Sequence, residues 1–129
     1  SEFACVRTRS ELALHSAKVF AKYVATLPAT TLVEQWEAHV AKIGGKVFSL
    51  CCDNGGHITF KVTEMSFEGL TLIEGIGQAP YFAKRAWVSV SKGAAISDAD
   101  LKSYIAASQR LVAKGLTKKL RVELGIADL

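Results

Sequence analysis

The chain opens with an amphipathic pattern. Between Ser10 and Leu27, apolar residues recur every three or four positions, which is the period of an α-helix. Ser10 can accept a hydrogen bond from a free backbone N–H at the start, and Pro28 marks the stop. We therefore predict a first helix over Ser10 to Leu27, after a loose tail at residues 1–9.

The following segment fits two kinds of structure. From Leu32 to Ile43 the apolar residues match helical spacing, and Gly44-Gly45 would end such a helix. Between Trp36 and Val40 they also alternate with polar residues, as in a strand. The pattern by itself leaves residues 29–43 open between a helix and a strand.

Alternation of apolar and polar residues predicts strands further along. Residues 47–52 would place Phe48 and Leu50 on the same face. The turn Asp53–Gly56 follows, since Asn and Gly tolerate the positive φ of tight hairpins. It leads to a second strand at residues 58–62, with one buried face and one solvated or ligand-facing side.

The next elements are shorter. We predict a helix near Ser66–Ile73 and then a loop through Gly75, Gly77 and Pro80. A further strand alternates between two faces, with Ala86, Val88 and Val90 on one and Trp87 and Ser89 on the other.

The last long helix has the clearest boundaries. Ser97 is a suitable N-cap, Asp100 completes a variant capping box, and Gly115 interrupts the periodic pattern. Thr117 can cap one more short turn. Such helices must cover an apolar sheet face, so we predict the α+β class, in one domain over residues 1–129. The architecture would be a two-layer sandwich, with N-terminal and C-terminal helices packed on one face of an antiparallel sheet.

Composition limits the class of protein. Of 129 residues, 50% are hydrophobic and 22% are charged, which is typical of a soluble globular domain. No apolar run approaches the roughly 18 residues that a membrane span needs, and no secretory signal pattern is present. We expect a cytoplasmic protein without membrane contact. The sequence specifies no oligomeric state.

The cysteines are expected to be free. There are three, Cys5, Cys51 and Cys52, and both the odd count and the adjacency of two argue against a disulfide framework. Neighbours on a strand point to opposite faces, so Cys51 and Cys52 are poorly placed to bond each other. Buried thiols are the expectation.

Charge is segregated along the chain. Residues 1–78 hold seven Lys or Arg and eight Asp or Glu, whereas residues 79–121 hold nine Lys or Arg and two Asp, a net charge of +7. A positive half of this kind is the footprint of a polyanionic partner. The alternative is a basic surface that only keeps the protein soluble.

Four short blocks in fixed order resemble the MmcQ/YjbR family of small bacterial proteins. They are residues 42–48, 58–62, 79–90 and the closing stretch from Ile96–Leu101 to Leu116–Arg121. The resemblance implies a small sandwich similar to that of frataxin-like proteins. It favours a strand at Ala38–Ile43 that enters a Gly44-Gly45 hairpin. Family members are commonly described as predicted DNA-binding proteins, which is an analogy at the level of fold.

Binding chemistry is the function that the residues support best. Cations beside an aromatic ring suit a nucleic acid, because the charge neutralises phosphate and the ring stacks on a base. We therefore expect a non-enzymatic module that binds DNA or another polyanion with weak sequence preference. The residues expected to carry binding are Lys84, Arg85, Trp87, Arg110, Lys114, Lys118, Lys119 and Arg121.

The alternative function uses the sheet face that the helices leave uncovered. There Thr59, Lys61, Trp87 and Ser89 would line a shallow cleft for a small molecule or a protein. The mitomycin-type gene clusters that lend the family half its name make drug binding or resistance part of this alternative.

Catalytic and metal chemistry have little basis in the sequence. His15, His39 and His57 form no nucleophile–base set, and no CxxC or HExxH spacing occurs. His39 and His57 could join Cys51 at a metal only if neighbouring strands aligned them. We expect no enzyme activity, no cofactor and no metal.

Overall fold

The computed structural model describes residues 16–35, 38–51 and 56–127. In chain order their elements are α1 (Ala17–Val24), β1 (Thr30–Gln35), β2 (Ala38–Ile43), β3 (Lys46–Cys51), β4 (Ile58–Lys61), α2 (Glu64–Leu70), β5 (Ile76–Gln78), β6 (Trp87–Val90), α3 (Asp98–Lys114) and α4 (Lys118–Glu123). The predicted tail at residues 1–9, the Ser10 cap and most of the Asp53–Gly56 turn lie outside the described residues.

The six strands form one antiparallel sheet in the order β1-β2-β3-β4-β6-β5. The helices α1 and α3 supply apolar side chains to a core on one face of this sheet. Phe20 and Val24 come from α1, and Leu101 and Ile105 come from α3, to pack with sheet residues such as Phe60. The predicted α+β sandwich is confirmed.

Two buried polar side chains of α3 hold that helix in place. Ser108, 1% exposed, donates its hydroxyl hydrogen to the carbonyl oxygen of Lys61 at the end of β4. Gln109, 2% exposed, donates to the carbonyl oxygen of Pro28 and to the hydroxyl of Thr30. Because an unpaired buried polar group is costly, these bonds fix the position of α3 along the sheet.

The boundaries of α3 and α4 follow the predicted capping residues. The prediction of a first helix over Ser10 to Leu27 is wrong in its bounds, since α1 spans Ala17–Val24 and has Ser16 as its N-cap. The Ser97 hydroxyl accepts from the backbone N–H of Asp100 at 3.1 Å, and the Thr117 hydroxyl accepts from that of Leu120 at 3.1 Å. Gly115 forms the C-cap of α3, so the interruption is also confirmed. These signals are reliable because a cap is satisfied within one turn of the chain.

Residues 30–35 and 38–43 are extended, which decides between the two patterns for these residues. β1 pairs with β2 along its whole length, from Thr30 opposite Ile43 to Gln35 opposite Ala38. The helical spacing misleads here because β2 is buried on both faces. Four of its six residues are buried, so strict alternation is lost.

The loop predicted through Gly75 and Pro80 is partly wrong. Ile76–Gln78 is a short strand that pairs with β6, with Ile76 opposite Val90. Three residues are too few to show alternation, so the partner strand decides the outcome. The helix predicted near Ser66–Ile73 is present as Glu64–Leu70, with Thr63 as its cap.

A β-bulge in β3 overturns the predicted face of Leu50. The pairing of β2 with β3 shifts by one residue between Ala41 and Lys42, which leaves Phe48 as the extra residue. Phe48 therefore enters the helix-side core, whereas Val47 and Leu50 belong to a second apolar cluster. The expectation that Phe48 and Leu50 share a face is wrong.

That second cluster lies on the sheet face away from α1 and α3. Its buried members are Ala38, Val40 and Leu50, and Phe82 from the β5–β6 loop packs against them. Val40 has no exposed surface at all. The sheet is therefore apolar on both faces at β2 and β3.

Cys51 corrects the expectation of free thiols. It is fully buried and disulfide-bonded, and its partner lies outside the described residues. Counting cysteines misled because an odd number excludes only complete pairing, and one bond among three cysteines is compatible with it.

Alkylation counts this disulfide directly. The unfolded chain should take up one alkyl group without reduction and three after reduction, as measured by intact mass. Peptide mapping of the unreduced protein then identifies the partner as Cys5 or Cys52. Uptake of three groups without reduction would contradict the bond.

The two glycines of the Gly44-Gly45 hairpin allow a matched test of the contact between the hairpin and the residues around the start of α4. A Cβ at Gly44 would lie 2.7 Å from a Leu116 methyl and 3.2 Å from a Leu120 methyl, whereas one at Gly45 meets nothing within 4 Å. Both glycines have positive φ, which costs about 1 kcal/mol for alanine. We expect Gly44→Ala to lower the free energy of unfolding by about 1–3 kcal/mol more than Gly45→Ala, through overpacking. Denaturant titration measures both, and equal losses would argue against the contact.

Candidate nucleic-acid interface

The sheet brings distant basic segments to one of its ends. β2 and β3 meet there in the Gly44-Gly45 hairpin, and the register places Lys61 at the end of β4 opposite Trp87 at the start of β6. β5 ends at the same side, so the loop of residues 79–86 lies there too. We call this the basic end of the sheet.

The C-terminal helices reach the same end. Leu116 and Leu120 lie beside Gly44 in the hairpin. The Ser108 hydroxyl donates a hydrogen bond to the Lys61 carbonyl oxygen at the end of β4. The β3 strand is two positions from β6, about 10 Å at the usual strand spacing of about 4.8 Å. Segments far apart in sequence therefore share one end of the molecule.

Most of the predicted cations are exposed there. Five of them are exposed and have no ion pair with a carboxylate of the described residues: Lys84, Arg110, Lys114, Lys118 and Lys119. Arg121 is half-buried, and its Nε is buried without a hydrogen-bond partner in residues 16–35, 38–51 and 56–127. Glu123 on α4 is the acid nearest to them in sequence, and it is exposed.

The predicted stripe of cations is divided between two helices. Arg110 and Lys114 lie on the exposed face of the last turns of α3, which ends at Lys114. Lys118 and Lys119 begin α4. Lys114 complements the negative end of the α3 dipole, whereas the two lysines at the start of α4 face its positive end. The position of Lys118 and Lys119 is therefore not explained by helix stability.

Arg85 is held by two carboxylates. Its Nε lies 2.8 Å from Glu64 and its Nη2 lies 2.6 Å from Glu68, both on α2. The hydrogen bond that Arg85 donates to Glu64, together with the charges of both acids, raises the pKa of Arg85 above its ordinary value. The guanidinium also lies over the Phe67 ring, 5.5 Å from its centroid. Arg85 therefore anchors the loop to α2, and its charge is largely neutralised.

The Trp87 side chain is packed against the protein and is not available at the surface to a ligand. It is 9% exposed, and its ring centroid lies 4.5 Å from that of Phe82 at an angle of 33°. The strand pattern correctly placed Trp87 on the face away from the helices, but it gave no sign that Phe82 would cover the indole. A base has little access to this ring.

The loop exposes a different aromatic residue. Tyr81 is fully exposed and has a φ of 70°, which is rare for a residue with a large side chain. The sequence showed the order of Tyr81 and Phe82 but not which of them turns outward. Pro80 gave no signal for this, since proline is common in turns whose next residue has negative φ as well as in turns whose next residue has positive φ.

The side chain of Gln78 organises this loop from within. Its Nε2 donates to the carbonyl oxygens of Ala79 at 2.8 Å and Ala83 at 3.3 Å. Its Oε1 accepts from the backbone N–H of Arg85 at 2.9 Å. One amide group therefore links the two ends of the turn, so Tyr81 stands on a loop that is held from within.

The residues of the alternative cleft are adjacent, as their positions suggest. Thr59 pairs with Ser89, and Lys61 pairs with Trp87, on the face away from α1 and α3. Thr59 is only 3% exposed, however, and Lys61 and Ser89 are half-buried. The chain also has a depression of about 470 Å³ elsewhere, between α2 and the start of α3, lined by residues that include Leu70, Asp100 and Tyr104. The cleft stays a prediction.

The strands align two of the three residues considered for a metal. His39 lies directly opposite Cys51, and His57 precedes Ile58, the partner of Cys51 on β4. Cys51 is committed to a disulfide, and His39 lies 4.0 Å from a Glu34 oxygen. The described residues contain no group of three or more metal-binding side chains. His15 lies outside them.

No helix in the described part of the chain is long and apolar enough to cross a membrane. This finding agrees with the absence of long apolar runs in the sequence.

Comparisons with known proteins agree with the sequence blocks. Deinococcus radiodurans protein DR2400, with the domain DUF419, superposes with a TM-score of 0.76 at 23% identity, covering 87% of this chain and 90% of that one. A protein from Pseudomonas syringae gives a TM-score of 0.63 at 20% identity, covering 73% of this chain and 96% of that one. These two likenesses concern the fold. A search of curated proteins gives no match. The YjbR family model matches residues 25–111, two thirds of the sequence, and the chain therefore belongs to the YjbR family.

Proposed function

We propose that the protein is a non-enzymatic module that binds DNA through the basic end of its sheet. The observation that carries the proposal is the set of five exposed cations without a carboxylate partner among the described residues. They come from the β5–β6 loop, the end of α3 and the start of α4. Sheet topology explains why these three segments lie at the same end of the sheet.

The physical mechanism is release of counterions from the nucleic acid. Each phosphate that a lysine or arginine neutralises frees counterions, so affinity falls as salt rises. Four to five phosphate contacts correspond to a slope of roughly −4 for log affinity against log salt. Such contacts position the protein on the backbone and carry no base information, so sequence preference should be weak.

Arg85 and Trp87 have other roles in this proposal. Arg85 holds the loop on α2 through Glu64 and Glu68, and Trp87 supports it from below through Phe82. Lys84 lies between these anchors and is exposed. The loop therefore contributes one free cation on a fixed support.

Charge reversal at the start of α4 tests the proposal. We expect the double substitution Lys118→Glu and Lys119→Glu to weaken binding to all DNA sequences alike and to bring the salt slope from roughly −4 to about −2, because two phosphate contacts are lost. Fluorescence anisotropy with a labelled duplex over a series of salt concentrations measures both quantities.

The matched control is Lys92→Glu. Lys92 is exposed and follows β6 at the opposite end of the sheet, so its reversal should leave the slope unchanged. The double variant reverses two charges and the control reverses one, so an equal effect per reversed charge would mean that net charge alone determines binding. Absence of binding by the native protein at low salt, to duplex or single strand, would remove the proposal.

Removing the charge of one of the two acids that bind Arg85 should strengthen DNA binding. Glu68→Gln keeps the shape of the side chain and frees the Nη2 of Arg85 from a charged partner. We expect tighter binding and a salt slope steeper by up to about 0.9, the value of one further phosphate. Glu74→Gln changes the net charge equally at the opposite end of the sheet and serves as the control. Identical slopes would mean that Arg85 remains an anchor only.

A further inference from the structure

We infer that the basic end takes single-stranded nucleic acid, with the Tyr81 ring as the stacking surface for an unpaired base. This inference rests on the proposed function and specifies its ligand. It starts from Tyr81, whose side chain is fully exposed although its backbone adopts a φ of 70°.

Folding alone does not account for tyrosine at this position. Proline at position 80 fixes its own φ at about −65°. Tyr81 after it has the positive φ of a type II turn, where glycine or asparagine is usual. A bulky residue is strained there, and this one gains no burial in return. Strained residues with exposed side chains are often found where a protein contacts a ligand.

The support beneath Tyr81 does not depend on its ring. The Gln78 amide bonds the backbone on both sides of the turn, Phe82 stacks against Trp87, and Arg85 binds two acids of α2. The phenol ring therefore projects from a loop that is already ordered. Little conformational freedom of the loop is lost when a ligand binds, which favours affinity.

The neighbouring charge fits a nucleotide. Lys84 is exposed three residues after Tyr81 in the same loop, and the α4 lysines lie at the same end of the sheet. An aromatic ring next to cations matches a base next to its phosphates. Bases inside a duplex are already stacked on both faces, so they cannot lie on the Tyr81 ring, whereas an unpaired base can.

Two other exposed apolar residues help to separate base stacking on Tyr81 from nonspecific hydrophobic binding. Met65 on α2 and Leu72 just after it are 84% and 87% exposed. Neither belongs to the loop that carries Lys84. Leu72→Asn is therefore a matched control for the loss of an exposed apolar side chain.

The test compares a labelled single strand with the duplex that it forms with its complement. Tyr81→Asn should weaken single-strand binding about ten-fold, the loss of one stacked base, and should leave duplex binding and the salt slope unchanged. Tyr81→Phe should retain native affinity because the ring is kept. Leu72→Asn should bind both probes like the native protein.

Thermal unfolding checks that the loop variant is intact. Asparagine tolerates positive φ, so Tyr81→Asn should unfold at the native temperature or above it. If Tyr81→Asn binds the single strand as well as the native chain does, while the double substitution at Lys118 and Lys119 weakens binding, the stacking inference is wrong and the proposed function survives. If neither variant changes binding, both are wrong.

Discussion

The attachment of α3 to the sheet is the constraint on which the rest of this structure depends. Ser108 and Gln109 are buried between helix and sheet. Gln109 can reach Pro28 and Thr30 at only one axial position of the helix. Ser108, whose hydroxyl also lies within hydrogen-bond distance of the Tyr104 carbonyl oxygen in α3, reaches the end of β4 at that same position. That position sets where α3 ends, and therefore where Leu116 and Leu120 meet the hairpin. The location of the C-terminal cations thus follows from two hydrogen-bonding side chains in the core.

Charge along the sequence and charge in space are different quantities in this protein. The segment 79–121 carries a net charge of +7, yet Arg85 within it is paired with acids that stand 17 and 21 residues earlier. The pairing removes one cation from any phosphate surface and uses it to fix a loop. Lys84, its neighbour in sequence, keeps its charge exposed. Adjacent cations therefore serve different purposes, one in the architecture and one at the surface.

Sequence was sufficient where the determining contacts are local. Ser97, Thr117 and Gly115 set helix ends through bonds within one turn, and the strand at Trp87–Val90 follows from alternation. The family resemblance supplied the strand Ala38–Ile43, which the pattern could not decide because β2 is buried on both faces.

Sequence was insufficient where a distant partner decides. The covering of Trp87 by Phe82, the pairing of Arg85 and the bond of Cys51 each depend on a group brought close only by folding. The candidate site is affected most: the cations were identifiable from composition, but their exposure was not. The outward Tyr81 depends on a backbone angle that no residue pattern displays.

The bulge at Phe48 has a consequence for how this hairpin tolerates change in length. Side chains along a strand alternate between the two faces of the sheet, and the extra residue at the bulge interrupts this alternation in β3. The faces of the residues before the bulge therefore do not determine the faces of the residues after it. A residue gained or lost in the Gly44-Gly45 turn can be absorbed at the bulge, and Leu50 and Cys51 keep their respective faces. A one-residue change in the length of the hairpin tip can therefore leave the inner half of β3 in register with β4.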